Sequence, residues 1–150
     1  MPEKQQQQQK QVVIDTSAFF AGTKKIRSLI ESGIKLSTID LVVFEFTKVM
    51  ETEIAQARRS GKTQRLELLQ ALKERYPKLL RTLEIEVKSP EFSIDDVDQL
   101  YTEISEGHDS GDAMIWLKMQ KAGLNTIVTD NTSDWINLGA KVINLKHVAH

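Results

Sequence analysis

The sequence predicts a single α/β domain, a three-layer α/β/α sandwich around a mostly parallel sheet of five strands. Two observations carry this. Five short strand-like runs, at 12–15, 34–38, 83–88, 126–129 and 141–145, alternate with helical patterns, the signature of βαβ units. The first and fourth runs, "VVID" and "TIVTD", each deliver an Asp at their end. In a parallel sheet that brings both acids to the carboxyl edge, where ligands bind. A length of 150 residues suits one hydrophobic core.

The elements follow in order. Residues 1–11, "MPEKQQQQQKQ", have no apolar centre and read as a disordered Gln-rich lead-in, so the domain is expected over 12–146. The β-branched run at 12–15 ends on Asp15. A short helix at 24–32 precedes the second strand. Asp40 is placed to cap a long helix through Arg59, which Ser60-Gly61 breaks. Another helix is expected at 63–75, and Pro77 ends or kinks it, because proline offers no N–H to the ladder. Ser93 with Asp96 reads as a capping pair opening 93–105. Ser110 or Asp109 opens 111–122, and Gly123 closes it. No internal repeat and no second domain are seen.

Composition excludes several classes. No apolar run approaches 18 residues, so no membrane span is expected. With no Cys there is no disulfide framework, thiolate metal site or Cys nucleophile; a cytoplasmic location fits. The net charge of −1 hides an uneven distribution. Arg58, Arg59, Lys62, Arg65, Lys73, Arg75, Lys78 and Arg81 face only Glu67 and Glu74 over 58–81, while acids gather in the last third. Such a chain has room for a basic face toward an anion and an acidic pocket toward a cation. The plain alternative is two solvated helix faces.

Two helices add acids to the strand ends. Glu45 lies beside the apolar stripe Val42, Phe46 and Val49, in the early turns of its helix. Asp112 leads the stripe Ile115, Trp116 and Met119. Each acid alone has an innocent reading: a rim Glu turned outward, or an acid favoured by a helix N-terminus. The ordered set does not.

That set resembles the PIN domain, a nuclease fold named for a pilus protein's N-terminus. "IDTSAFF" supplies Asp15, Thr16 and Ser17; "FEFTKV" supplies Glu45; "SGDAMIWLKMQKAG" supplies Asp112; "IVTDNTSDW" supplies Asp130 and Asp134. The similarity spans about 12–145. It departs in the last motif, where Asn131-Thr132-Ser133 separate the two Asp residues. Asp130 is the safer ligand there, and Asp134 binds through water or caps the next turn.

The resemblance implies a metal-dependent endoribonuclease leaving a 5′-phosphate and a 3′-hydroxyl, with catalytic Asp15, Glu45, Asp112 and Asp130. Asp134 would join them around Mg²⁺ or Mn²⁺, and Thr16 and Ser17 would support. It also implies a small antitoxin or an RNA-processing role, and a homodimer. The chemistry agrees. Hard divalent cations take oxygen ligands, crowded carboxylates repel unless a cation neutralises them, and one or two ions, about 3.5–4 Å apart when paired, activate water and hold a phosphate in line. Arg58, Arg59, Lys62 and Arg65, around the helix break, are candidates for holding the RNA.

Rival readings rest on the same residues. A haloacid dehalogenase-like phosphatase needs a second Asp that "DTS" lacks. A response-regulator receiver needs an acid pair after strand one and a Lys after strand five; Lys146 keeps that reading open. "RRSGKT" ends like a phosphate-binding loop, but position 56 is Gln and a helix precedes it. His108 either contacts the phosphate or is polar surface. Trp116 fits core packing, and Trp135 fits either the core or a stacked base. The competing class is a non-catalytic RNA- or protein-binding module on the same fold.

Overall fold

The structure is a computed structural model that describes residues 11–148 other than Gly22. The expected lead-in at 1–11 falls outside the described residues except for Gln11, which opens the first strand. The strands are β1 (Gln11–Ile14), β2 (Lys35–Ile39), β3 (Glu86–Lys88), β4 (Thr126–Thr129) and β5 (Lys141–Asn144). All their pairings are parallel, in the order β3-β2-β1-β4-β5. The helices are α1 (Thr16–Ala21), α2 (Thr23–Glu31), α3 (Asp40–Arg59), α4 (Thr63–Thr82), α5 (Ile94–Ser105), α6 (Ser110–Lys121) and α7 (Thr132–Leu138), and a 3₁₀ turn at Leu145–His147 follows β5.

Alternation along the strands makes two cores. Val12 and Ile14 face one side of the sheet, packing with Phe19 of α1, Ile26 of α2, Phe46 and Met50 of α3 and Tyr76 of α4. Val13 and Ile127 face the other, with Ala113, Trp116 and Met119 of α6 and Trp135 of α7. Adjacent residues pointing to opposite faces is the period of a strand, and apolar burial on both faces gives the expected three layers.

Several boundaries differ from those expected. Asp40 is the first helical residue, Ile39 is the N-cap, and the Asp40 carboxylate accepts from the Leu41 N–H at 2.7 Å and from Lys118 at 3.1 Å. Pro77 does not end its helix: α4 runs through it to Thr82. A proline inside a helix costs about 3 kcal/mol. Here the turns around it bury Tyr76 and Leu79, and Tyr76 stacks on Phe46 with ring centroids 3.9 Å apart. The strand expected at 83–88 starts only at Glu86, because the preceding residues finish α4. The Leu83 N–H donates to the Leu79 carbonyl, the Ile85 N–H donates to the Leu80 carbonyl, and Glu84 turns with φ +53°. The Ser93–Asp96 capping box and the Asp109 cap of α6 are present.

Strand order places the site. The chain builds β1, β2 and β3 outward in one direction, then crosses to the far side of β1 for β4 and β5. The reversal lies between β1 and β4, and such a switch opens a crevice at the carboxyl ends of the strands.

Candidate metal centre

Asp15 stands one residue past β1, its backbone N–H still donating to the Val128 carbonyl of β4 at 3.0 Å. Its side chain therefore leaves the sheet at the switch point, and it is buried. Oδ1 accepts from the Thr16 N–H at 2.8 Å and Oδ2 from the Thr129 hydroxyl at 2.8 Å. The Thr16 hydroxyl donates to Glu45 Oε1 at 3.1 Å, tying the start of α1 to α3. The Ser17 hydroxyl lies 3.3 Å from that of Thr129 and accepts from the Asp130 N–H at 3.1 Å. The expected supports, Thr16 and Ser17, thus link the first strand end to α3 and to the loop after β4.

α6 brings the next acids. Its N-cap Asp109 accepts from the Asp112 N–H at 3.0 Å. Gly111, between them, has no side chain to hold α3 away: a Cβ there would lie 3.2 Å from Asp109 Oδ1 and 3.7 Å from Glu45 Oε2. On α7, exposed Asp134 accepts from the Asn131 side-chain amide at 2.8 Å. A cavity of about 280 Å³ opens beside Asp109, Asp112 and Asp134.

The charges interact. Asp112 is pushed from 3.8 up to about 7, by burial first and then by Asp109, Asp15, Glu45 and Asp134. Glu45 is raised by burial and then by Asp15, against the Thr16 hydroxyl, with Asp109 adding. Asp15 is raised by burial although Thr129, Thr16, Trp135 and Ser17 all favour its ionised form. Among the described residues no Lys, Arg or His pairs with any of Asp15, Glu45, Asp109, Asp112 or Asp134. An all-oxygen set of repelling carboxylates, with no cation of its own, fits a hard divalent ion.

The structure thus brings Asp15, Glu45 and Asp112 together with Asp134. Asp130 ends β4 at the same edge, but its charge is not among those raising Asp15, Glu45 or Asp112. Sequence reasoning saw Asp109 only as a helix cap and did not see Thr129. "DSGD" held the signal for the first, since it sets two acids on one turn of a helix start with a glycine between them. Trp116 and Trp135 are buried, 6% and 0% exposed, and present no face to a base. Lys146 is exposed beyond β5, an edge strand separated from β1 by β4, and pairs with none of these acids. The receiver reading loses its lysine.

Near the edge, at the end of α5, lies a second group. Glu103, Glu106 and His108 offer ligand atoms all within 4.8 Å of one another, the one such group of three among the described residues. The carboxylates at the switch point form no such tight group. His108 lines the same cavity as Asp112. The basic residues Arg58, Arg59, Lys62 and Arg65 are exposed around the Ser60-Gly61 turn. Arg65 is held by Glu53 at 2.7 Å. Along α3, Arg58 lies roughly 20 Å from Glu45 at 1.5 Å per residue.

Compared by sequence, the chain matches no protein-family model and no curated protein. By structure it is similar to PAE2754 from Pyrobaculum aerophilum, with a TM-score of 0.56 and 16% identity over 92% of this chain and 90% of that one. It is also similar to FitAcB from Neisseria gonorrhoeae, with a TM-score of 0.59 and 14% identity over 91% of this chain and 99% of that one. At such identities the likeness is one of fold, and that fold is a PIN-like domain. Among the described residues no helix is long and apolar enough to cross a membrane.

Proposed function

We propose that this PIN-like domain is a metal-dependent endoribonuclease. One observation carries the reading: a buried carboxylate after β1 and half-buried ones from α3 and α6 meet at the sheet's switch point, where burial raises all three and the Asp15 charge raises Glu45 and Asp112 further, with no cation among the described residues paired to them. Asp15, Glu45 and Asp112 would hold Mg²⁺ or Mn²⁺. Of the two acids after β4, Asp134 is favoured as the fourth because its charge acts on Asp112, and Asp130, half-buried at the end of β4, is the alternative. A bound ion supplies an acidified water and a polarised phosphate. The chain's own part is positional. Thr16 and Thr129 fix the Asp15 carboxylate, Thr16 also holds Glu45, and Asp112, pushed up to about 7, would give up its proton to serve as a ligand.

RNA as substrate rests on the resemblance in the motifs and on the exposed basic end of the α3–α4 hairpin. The 20 Å between that end and Glu45 suits a strand lying along α3. A small antitoxin and a homodimer belong to the same reading. The cleft of about 440 Å³ lined by Phe20, Leu68, Leu69 and Leu72 supports a protein partner. The test is a 5′-labelled RNA incubated with Mg²⁺, with Mn²⁺ or with chelator. Cleavage only with the ion, leaving 3′-hydroxyl ends, is expected. Binding without cleavage under all three conditions would make the chain a non-catalytic module.

A further inference from the structure

The starts of α5 and α7 each carry an acid three residues past the N-cap, and the two acids are used differently. At α5, Asp96 accepts from the backbone N–H of the N-cap Ser93 at 2.8 Å, as in a capping box. At α7 the N-cap is Asn131 and the acid is Asp134. Here the Asn131 N–H donates elsewhere, to the Thr129 hydroxyl oxygen at 3.0 Å. That hydroxyl gives its own proton to Asp15 Oδ2 at 2.8 Å. Asn is also among the best N-cap residues, yet the Asn131 side chain makes no cap bond. Its amide donates instead to Asp134 Oδ2 at 2.8 Å. An ionised carboxylate only accepts, so the amide nitrogen must face it. Both departures forgo helix stability, and local rules are broken in this way chiefly where function asks for it.

We infer that Asn131 is a positioning residue: its side-chain amide holds the Asp134 carboxylate at the acidic cavity, making Asp134 rather than Asp130 the fourth ligand of the divalent ion. This rests on the metal reading above. Asp134 is exposed and, unheld, would turn among its rotamers. Held at Oδ2, it keeps Oδ1 for an ion. It lines the cavity of about 280 Å³ with Asp109 and Asp112, and Asp130 does not line it. The backbone of Asn131 is bonded into the chain from Thr129 to Asp15, so one turn fixes the rim acid relative to the buried one. Hydrogen bonds that orient a metal ligand in this way are worth about 10–100-fold in affinity.

The experiment measures Mn²⁺ binding by calorimetry in the wild type, Asn131→Ala, Asp134→Asn, Asp130→Asn and the double variant of Asn131→Ala with Asp134→Asn. Melting in chelator is the check on folding. Asn131→Ala removes the amide and keeps the backbone N–H to Thr129. It is expected to bind Mn²⁺ about 10-fold more weakly and, having lost no cap bond, to melt in chelator as the wild type does. With Asp134→Asn already present, the same change is expected to cost nothing further, because residues acting through one group do not add. Asp130→Asn is expected to bind more tightly than Asp134→Asn. Unchanged affinity in Asn131→Ala, an equal further loss beside Asp134→Asn, a lowered melting point in chelator, or a larger loss from Asp130→Asn than from Asp134→Asn overturns the positioning role alone. A wild type that binds no Mn²⁺ overturns the metal reading and this inference with it.

Discussion

Two acidic groups lie side by side in this molecule and differ in what balances them. At the end of α5, Glu103, Glu106 and His108 are tightly gathered, and an imidazole stands among the acids: His108 Nε2 lies 3.4 Å from a Glu103 carboxylate oxygen. Glu106 faces solvent, with 60% of its side chain exposed. At the switch point the acids stand farther apart, but Asp15 is buried and no basic side chain among the described residues joins them. On the proposed reading uncompensated burial, rather than crowding of ligand-type atoms, marks the cation site, because water screens the repulsion poorly there and a bound ion would relieve it.

The comparison can be broken most severely at Asp15. Asp15→Asn is expected to lose RNA cleavage by at least about a hundredfold, at the upper end for metal-site changes. Without metal the same variant should melt no lower than the wild type, since one repelling charge has gone. A collapse of metal-free stability in the melting curve would make Asp15 a structural cap instead. Next comes the ion's effect on stability. At a hundredfold excess over its dissociation constant a ligand adds about 2.7 kcal/mol, roughly 5–10 °C in melting temperature for a chain of this size. Changing Glu103, Glu106 and His108 together to Gln should leave that rise intact, and Asp112→Asn should remove most of it.

A subtler test uses pH. The Asp112 carboxyl rises from 3.8 to about 7 on folding, so the metal-free folded state holds its proton more tightly than the unfolded chain does. That contribution to stability is fully present below about pH 4 and lost as pH rises to 7. The metal-free protein should therefore melt progressively lower across that window. Asp112→Asn should flatten the profile, and Mg²⁺ should restore stability at pH 8. The smallest effect is expected far from the acids. Replacing Arg58, Arg59, Lys62 and Arg65 with Ala should weaken RNA binding and reduce its log-log salt slope by about 0.7 per lost phosphate contact. Arg65 should count for less than the others because Glu53 already holds it. Equal slopes in a salt series would remove this surface from the RNA path.

Much of the fold was legible because its signals are local. β1, β2, β4 and β5 sit in β-branched runs, and the Ser60-Gly61 break and the Ser93–Asp96 box declare themselves by residue type. α1 and α7 were not read as helices. They are 6 and 7 residues long, too short to show a period, and α1 begins inside the Asp15-Thr16-Ser17 motif, at Thr16. The passage of α4 through Pro77 was hidden because its compensation is tertiary, the stacking of Tyr76 on Phe46. In the site, Asp15, Glu45 and Asp112 were legible from their places on strand ends and helix starts. Asp109 was not, because a helix cap and a member of a charge cluster look alike until another helix is seen to approach. Nor does sequence choose between Asp130 and Asp134; that depends on which way the turn into α7 aims each carboxylate.

The most direct measurement of the central claim is anomalous diffraction from crystals grown with Mn²⁺. The account predicts a manganese peak bounded by the carboxylates of Asp15, Glu45 and Asp112, with Asp134 nearer to it than Asp130. A peak among Glu103, Glu106 and His108 with none at the switch point, or no peak at all, would contradict it.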